Sequence, residues 1–164
     1  PRAYGDAQAL IDDSEVDAVF VATPPSTHCE YALKVAEAGK ACVVEKPMAM
    51  NAEECEQMVA AFKAKGAPLF VQFYRRGLER FNIVKGLLEE GKIGGLTSVH
   101  IVHYGRLATG DKAKGWRYDP EIAGAGQFYD LASHGMDILD YMVGPVTWVA
   151  GQAINTGEVI RLRM

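Results

Sequence analysis

The chain has 164 residues, of which 49% are hydrophobic and 23% are charged, and this is the composition of a globular protein long enough to bury a core. A net charge of −4 at pH 7, with no basic cluster, argues against nucleic acid as the main partner. The longest charge-free run, residues 141–157, is broken by Gly144 and Pro145, so we do not expect it to span a membrane.

The first elements are predicted to be a helix, a strand and a second helix. Residues 6–13 read as a short helix, and the continuous apolar run 18–22 is typical of a strand that is buried on both faces. Thr23-Pro24-Pro25 then forms a turn in which no helix can continue. Thr27 and Glu30 have the spacing of a capping box, which predicts a helix that ends at Gly39.

The tripeptide Glu45-Lys46-Pro47 follows a second apolar run, residues 41–44, which is predicted to be a buried parallel strand. Ligands of open α/β sheets bind beyond the carboxyl ends of the strands, so Lys46 is expected to face a ligand there. Proline removes a backbone donor, and the bond before it can be cis in a tight turn. Taken alone, the tripeptide also fits an ordinary charged turn.

A third strand is predicted after another helix. Asn51 and Glu54 repeat the capping-box spacing, the helix that they begin ends at Gly66, and residues 69–73 form the next apolar run. Alternating strands and helices at this spacing predict a parallel sheet. The ends of its three strands, at residues 23–25, 45–47 and 72–76, are therefore expected to converge on one rim.

From Leu96 the pattern changes to alternation, and a second architecture begins there. We predict that the chain divides into an α/β part, residues 1–76, and an α+β part, residues 77–164. In the second part we predict a helix over 78–91, an alternating strand from Leu96 to Tyr104, a loop-rich stretch over 110–125, a helix from Asp130 to Val143, and strands over 146–154 and 159–164.

Cysteines and histidines do not indicate a metal site. Cys29, Cys42 and Cys55 lie in apolar segments without metal-ligand spacing, so we expect reduced core thiols and a cytoplasmic protein. His100 and His103 are predicted to point to opposite faces of one strand, where they cannot share a metal ion.

Three polar residues share one face of the helix predicted from residue 130. Asp130, His134 and Asp137 stand at positions i, i+4 and i+7. A histidine flanked by carboxylates can be oriented and kept basic, as a general base requires. The alternative is that the two aspartates cap or solvate the helix and that His134 is an ordinary satisfied polar residue.

The motifs of this chain, taken together and in their order along the sequence, resemble those of the glucose–fructose oxidoreductase and inositol dehydrogenase family (Gfo/Idh/MocA) of NAD(P)-dependent oxidoreductases. The matching motifs are Val16-Asp17-Ala18-Val19, Thr23-Pro24-Pro25 with His28, Gly39-Lys40, Glu45-Lys46-Pro47, Tyr74-Arg75-Arg76 through Arg80-Phe81, Gly91-Lys92-Ile93-Gly94, Trp116-Arg117, and Asp130 through His134 to Asp137. They extend over nearly the whole chain.

The resemblance implies a partial Rossmann-type dinucleotide domain joined to an α+β domain with a mainly antiparallel sheet. It implies NAD or NADP as cofactor, a sugar, polyol or similar small molecule as substrate, hydride transfer at a CH–OH carbon, and a homo-oligomer formed through the open sheet. The implied site residues fall into three groups: Lys46, Asp130 and His134 for catalysis; Thr23, Pro24, Pro25, His28, Glu45 and Lys46 for the cofactor; Tyr74, Arg75, Trp116, Arg117, Asp130 and His134 for the substrate.

The sequence departs from the family in one important respect. It contains no G-x-G-x-x-G, the loop whose backbone amides reach the pyrophosphate, and the family places that loop upstream of Pro1. We therefore expect a fragment that lacks this loop and the C-terminal part of the second domain, and the choice between NAD and NADP stays open. The alternative function is a non-catalytic or inactive truncated member that acts as a binding or regulatory protein.

Overall fold

The computed structural model describes residues 2–104, 115–126, 128–155 and 158–160. Its helices are α1 (Ala7–Asp12), α2 (His28–Glu37), α3 (Ala52–Lys65), α4 (Glu79–Glu89), α5 (Pro120–Ala123) and α6 (Ser133–Val143). Its strands are β1 (Ala18–Val21), β2 (Ala41–Val44), β3 (Leu69–Val71), β4 (Ala153–Asn155) and β5 (Glu158–Ile160). Short 3-10 turns cover Pro25–Thr27, Tyr74–Gly77 and Trp116–Tyr118, and a π-helical turn, Phe128–Ala132, leads into α6.

The first three strands form the parallel sheet that the sequence predicts, in the order β1-β2-β3. Ala18 pairs with Ala41 at one end of the first ladder, and Val44 pairs with Val71 in the second. Because α2 and α3 connect parallel neighbours, the carboxyl ends of all three strands meet at one edge of the sheet. The α/β fold class is confirmed.

Only one face of this sheet is buried within the described part of the chain, so the prediction that β1 is buried on both faces is wrong. Cys42 and Val44 are fully buried and belong to one core with Met58 and Phe62 of α3. On the opposite face, Phe20 is 55% exposed. Alternate residues of a strand point to opposite faces. Because α2 and α3, the helices that follow β1 and β2, both supply residues to the core on one face, the other face stays exposed.

One of the two predicted capping boxes is present. Asn51 Oδ1 accepts from the Glu54 amide at 2.9 Å, and Glu54 Oε2 accepts from the amide of Met50 at 3.0 Å, so the reciprocal bond lies one residue earlier than in the ideal motif. The box predicted at Thr27 is wrong. After the two prolines the chain first winds into a 3-10 turn, and the Thr27 hydroxyl donates back to the Pro24 carbonyl at 3.0 Å.

The second part of the chain contains fewer strands than its alternating pattern predicts. Residues 96–104 and 146–152 have no regular secondary structure. Among the described residues of this part, β4 and β5 are the strands that pair, and they are antiparallel. The remainder of the last predicted strand, residues 161–164, lies outside the described residues. Alternation shows which face of a strand would be apolar, but a strand also needs a partner for its backbone groups.

The structure also bears on the membrane and cysteine predictions. No helix within the described ranges is long and apolar enough to cross a membrane. Cys29, Cys42 and Cys55 are all free thiols, as the sequence predicts. Burial raises the pKa of the Cys42 thiol to about 11, so this cysteine is a core residue and not a nucleophile.

Candidate active site

One cavity of about 550 Å³ lies at the carboxyl edge of the parallel sheet. Residues from all three strand ends line it, which confirms the predicted convergence. Its other wall is formed by the second part of the chain, by residues of the 3-10 turn Trp116–Tyr118, the end of α5 and the beginning of α6. The lining residues are Ala22, Thr23, Pro25, His28, Glu45, Lys46, Pro47, Gln72, Tyr74, Trp116, Arg117, Ala123, Gly126, Tyr129, Asp130 and His134.

Lys46 and Asp130 join the two walls of the cavity, although they are 84 residues apart in the chain. The Lys46 ammonium group donates to the carboxylate Oδ1 of Asp130 and to its backbone carbonyl, the latter at 3.0 Å. The Lys46 side chain is only 15% exposed. Arg117 approaches the other carboxylate oxygen, with Nε 3.9 Å from Oδ2. Asp130 therefore lies between two cations.

His134, on the first turn of α6, is 4% exposed and lines the same cavity. The ring of Tyr74 meets its imidazole edge-on at 5.2 Å between centroids, and its Nδ1 is buried without a hydrogen-bond partner among the described residues. Burial, followed by the charges of Lys46 and Arg75, lowers the His134 pKa below its usual 6.5. The neighbouring carboxylates act in the opposite direction but are outweighed, so they do not raise the basicity of His134 as the sequence suggested. The ring is neutral at pH 7, which is the form that can accept a proton.

Asp137 neither caps nor solvates α6, and that alternative from the sequence is wrong for this residue. It is buried, at 8% exposure, and accepts a hydrogen bond from Arg76 Nε on Oδ1 at 2.8 Å. Arg76 also lies 3.2 Å from Asp140. The pair connects the turn that carries Tyr74 to the helix that carries His134.

Backbone oxygens surround His28 at the beginning of α2. The residue is 0% exposed, its Nε2 lies 2.8 Å from the Thr23 carbonyl oxygen, and its Nδ1 lies 2.9 Å from the Pro47 carbonyl oxygen. Both ring nitrogens are therefore occupied by the turns that follow β1 and β2. The Lys46–Pro47 peptide bond is cis.

The glycine turn before α6 makes room for an aromatic ring of the cavity wall. Gly124 has φ 62° and ψ −122°, a region that only glycine adopts readily, and a Cβ there would lie 2.8 Å from Cε2 of Tyr129. A Cβ on Gly126 would lie 3.2 Å from the Arg117 carbonyl oxygen. A side chain at either glycine would therefore crowd a residue that lines the cavity, Tyr129 or Arg117.

The structure brings together most of the predicted site residues. All of them line the cavity except Pro24 and Arg75, and Arg75 instead borders a groove on the other side of α6. Sequence reasoning missed Tyr129, whose only signal is its place beside Asp130. No group of His, Cys, Asp and Glu residues in the described part of the chain could hold a metal ion.

The chain matches two family models that together extend over most of its length. Residues 1–73 match an oxidoreductase family with an NAD-binding Rossmann fold, and residues 81–160 match the C-terminal domain of the Gfo/Idh/MocA family.

Individual relatives agree with these matches. The chain is 38% identical to Oxidoreductase P35 of Formosa agariphila, over 85% of this chain and 44% of the relative, and 35% identical to Inositol 2-dehydrogenase 2 of Saccharopolyspora erythraea, over 94% and 41%. Among solved structures, levoglucosan dehydrogenase in complex with NADH and levoglucosan superimposes with a TM-score of 0.70 at 33% identity, over 86% of this chain and 38% of that one. The chain thus spans about two fifths of the length of these relatives, and it belongs to the Gfo/Idh/MocA oxidoreductase family.

Proposed function

We propose that this chain is part of an NAD(P)-dependent oxidoreductase that transfers a hydride between nicotinamide and a CH–OH carbon of a sugar or polyol. One observation carries the proposal: the partly buried Lys46 ammonium group, which is bonded to Asp130, and the buried, neutral His134 line the same cavity. Groups with perturbed pKa values in a cleft are typical of catalytic sites.

The residues of the sheet edge fit the nicotinamide end of a dinucleotide. Thr23, Pro25, Glu45 and Lys46 line the cavity beyond the carboxyl ends of parallel strands, where dinucleotides bind in this fold class. The bound nicotinamide would supply the hydride acceptor in the oxidation direction. The pyrophosphate would require amide donors of a glycine loop, and the sequence contains no such motif.

The cavity residues can then move the proton and stabilise charge on the reacting oxygen. A lysine ammonium has three N–H groups, and Lys46 uses two of them on Asp130. Among the described residues it has no other hydrogen-bond acceptor, so the third N–H can donate to the substrate oxygen. His134 is neutral and accepts the hydroxyl proton as general base. Lys46 stabilises the developing alkoxide.

The names of the relatives support the substrate class. Their printed names include an inositol dehydrogenase and a levoglucosan dehydrogenase, and both of those substrates are polyhydroxylated rings. In this chain Tyr74 and Arg117 offer hydrogen-bonding groups to substrate oxygens, and Trp116 offers a flat apolar face. Arg75, which lies outside the cavity, stays a prediction as a substrate-binding residue.

We extend the proposal to domain organisation, assembly and compartment. The boundary at residues 76 and 77 is supported by the 3-10 turn Tyr74–Gly77 between β3 and α4. A homo-oligomer is supported by the exposed apolar side chains of the second part, such as Val102 at 66% exposure and Trp148 at 79%. A cytoplasmic location is supported by the three free thiols.

The alternative, a non-catalytic binding protein of the same fold, is less well supported. Such a protein would need no ammonium group beside a neutral buried histidine. The contact of Lys46 with Asp130, 84 residues away in the chain, in a cavity that His134 also lines, therefore favours an enzyme.

The test uses the natural full-length polypeptide. NADH and NADPH are titrated with fluorescence detection, and the preferred cofactor is then used to screen sugars and polyols for oxidation. We expect Lys46→Ala to lower kcat by about 10²-fold or more while cofactor binding is retained. Lys92→Ala, which removes a lysine that is 63% exposed, is the matched control and should leave kcat unchanged. An unchanged kcat in Lys46→Ala would contradict the proposal.

A further inference from the structure

His28 makes two hydrogen bonds that a neutral imidazole cannot make together. Both of its partners, the carbonyl oxygens of Thr23 at 2.8 Å and Pro47 at 2.9 Å, are acceptors only. A neutral imidazole has one N–H and one lone pair, so in either tautomer a lone pair would face an oxygen at bonding distance. A doubly protonated ring donates to both.

The surroundings of His28 make each of these bonds important. The residue is 0% exposed, so a nitrogen without a partner there cannot turn to water. Hydrogen bonds from a charged donor are roughly twice as strong as neutral ones, so a doubly protonated ring makes two strong bonds where a neutral ring would turn a lone pair to one of the oxygens. Neither nitrogen remains available to a ligand.

The two carbonyl groups belong to turns at the site. Thr23 follows β1, and Pro47 follows β2 and is bonded to Lys46. The backbone amide of Glu45 adds a bond of 2.9 Å to the Val21 carbonyl at the last step of the ladder. His28 therefore connects the two turns beyond the point where the ladder ends.

We propose that His28 is a positioning residue for Lys46: as a doubly protonated imidazolium it joins the turns after β1 and β2 and thereby sets where the Lys46 ammonium group lies in the cavity. This inference rests on the proposed function, in which Lys46 contacts the substrate oxygen. In this inference His28 affects the reaction through Lys46 and not through direct contact with the cofactor.

The protonation state has a direct test by NMR on the full-length protein with ¹⁵N-labelled histidine. The His28 signals are assigned by their loss in His28→Gln. We expect both ring nitrogens of His28 to show the shifts of protonated nitrogens and both to carry slowly exchanging protons. A His28 nitrogen with the far-downfield shift of an unprotonated imidazole nitrogen would refute the imidazolium.

Positioning is tested by kinetics of His28→Leu and His28→Gln, alone and combined with Lys46→Ala. Displacing a catalytic group by about 1 Å can cost on the order of 10²-fold, so His28→Leu should lower kcat by about 10- to 100-fold with little change in KM. Gln retains two N–H groups and should recover part of the loss. In the Lys46→Ala background, His28→Leu should have no further effect, because its only route to the reaction has been removed.

A structural control separates positioning from general destabilisation. Asn51→Ala removes the cap of α3 outside the cavity and should lower Tm without lowering kcat. If Lys46→Ala lowers kcat but His28→Leu does not, or if the losses of His28→Leu and Lys46→Ala multiply, the inference fails and the proposed function stands. If Lys46→Ala retains full kcat, both fail. Should His28→Leu not fold, the NMR measurement and His28→Gln still decide.

Discussion

Arg76 and Asp137 provide a sharp test of how the two parts of the chain are joined. Arg76 Nε donates to Asp137 Oδ1 at 2.8 Å, and the Arg76 terminal nitrogen Nη2 lies 2.6 Å from the same oxygen. The other carboxylate oxygen is already buried without a partner among the described residues. We predict that Arg76→Met is strongly destabilising because it leaves the buried carboxylate with neither oxygen paired.

The expected magnitude follows from the exposure of the two side chains. Removing one partner of a fully buried ion pair costs about 3–5 kcal/mol. Asp137 is close to that limit at 6% side-chain exposure, but Arg76 is 43% exposed, so water can partly replace its guanidinium group. We therefore expect Arg76→Met to lower the free energy of unfolding by about 2–3 kcal/mol.

A second variant distinguishes this reasoning from a simple loss of contacts. Arg76→Met combined with Asp137→Leu removes the unpaired carboxylate as well, and the double variant should be more stable than Arg76→Met alone. The assay is urea unfolding followed by far-UV circular dichroism. Lys92→Met removes one partner of an exposed pair with Glu90 and should change the free energy by only about 0–1 kcal/mol.

Two results would refute the argument. One is a double variant that loses the sum of the two single losses, since the carboxylate would then not be the cause. The other is an Arg76→Met protein within about 0.5 kcal/mol of the wild type, the range of ordinary surface substitutions.

Two further predictions concern the cavity. Because burial and two nearby cations lower the His134 pKa, oxidation should require the neutral ring, and kcat/KM should rise with pH along a limb centred below pH 6.5. A limb centred above that value in a pH–rate profile would show that another group is the base. Gly124→Ala forces a Cβ to 2.8 Å from the Tyr129 ring at φ 62°, and thermal unfolding should show a loss of about 1–3 kcal/mol. Gly95→Ala, where a Cβ would meet nothing within 4 Å, is the control, and equal Tm values for the two variants would rule out the close approach.

Much of the first part of the chain is readable from sequence because its signals are local. The apolar runs that become β2 and β3, the cap at Asn51 and the stop at Gly66 depend on neighbours within a few residues. Parallel pairing then follows from the alternation of strands and helices, and the convergence of strand ends at the cavity follows from parallel pairing. The candidate site residues came from their motifs, and most of them line one cavity.

The sequence alone thus determined the order of elements in the parallel sheet and the residues at its carboxyl edge, because periodicity, caps and turns act over short distances. Tertiary structure decided the rest. Residues 96–104 alternate like a strand but form none, since a strand needs a partner. The contact between Lys46 and Asp130 spans 84 residues, the two carbonyl partners of His28 come from separate turns, and the direction of the His134 pKa shift depends on burial and distant charges. Such properties arise from groups that only folding brings together, so no local pattern in the chain can encode them.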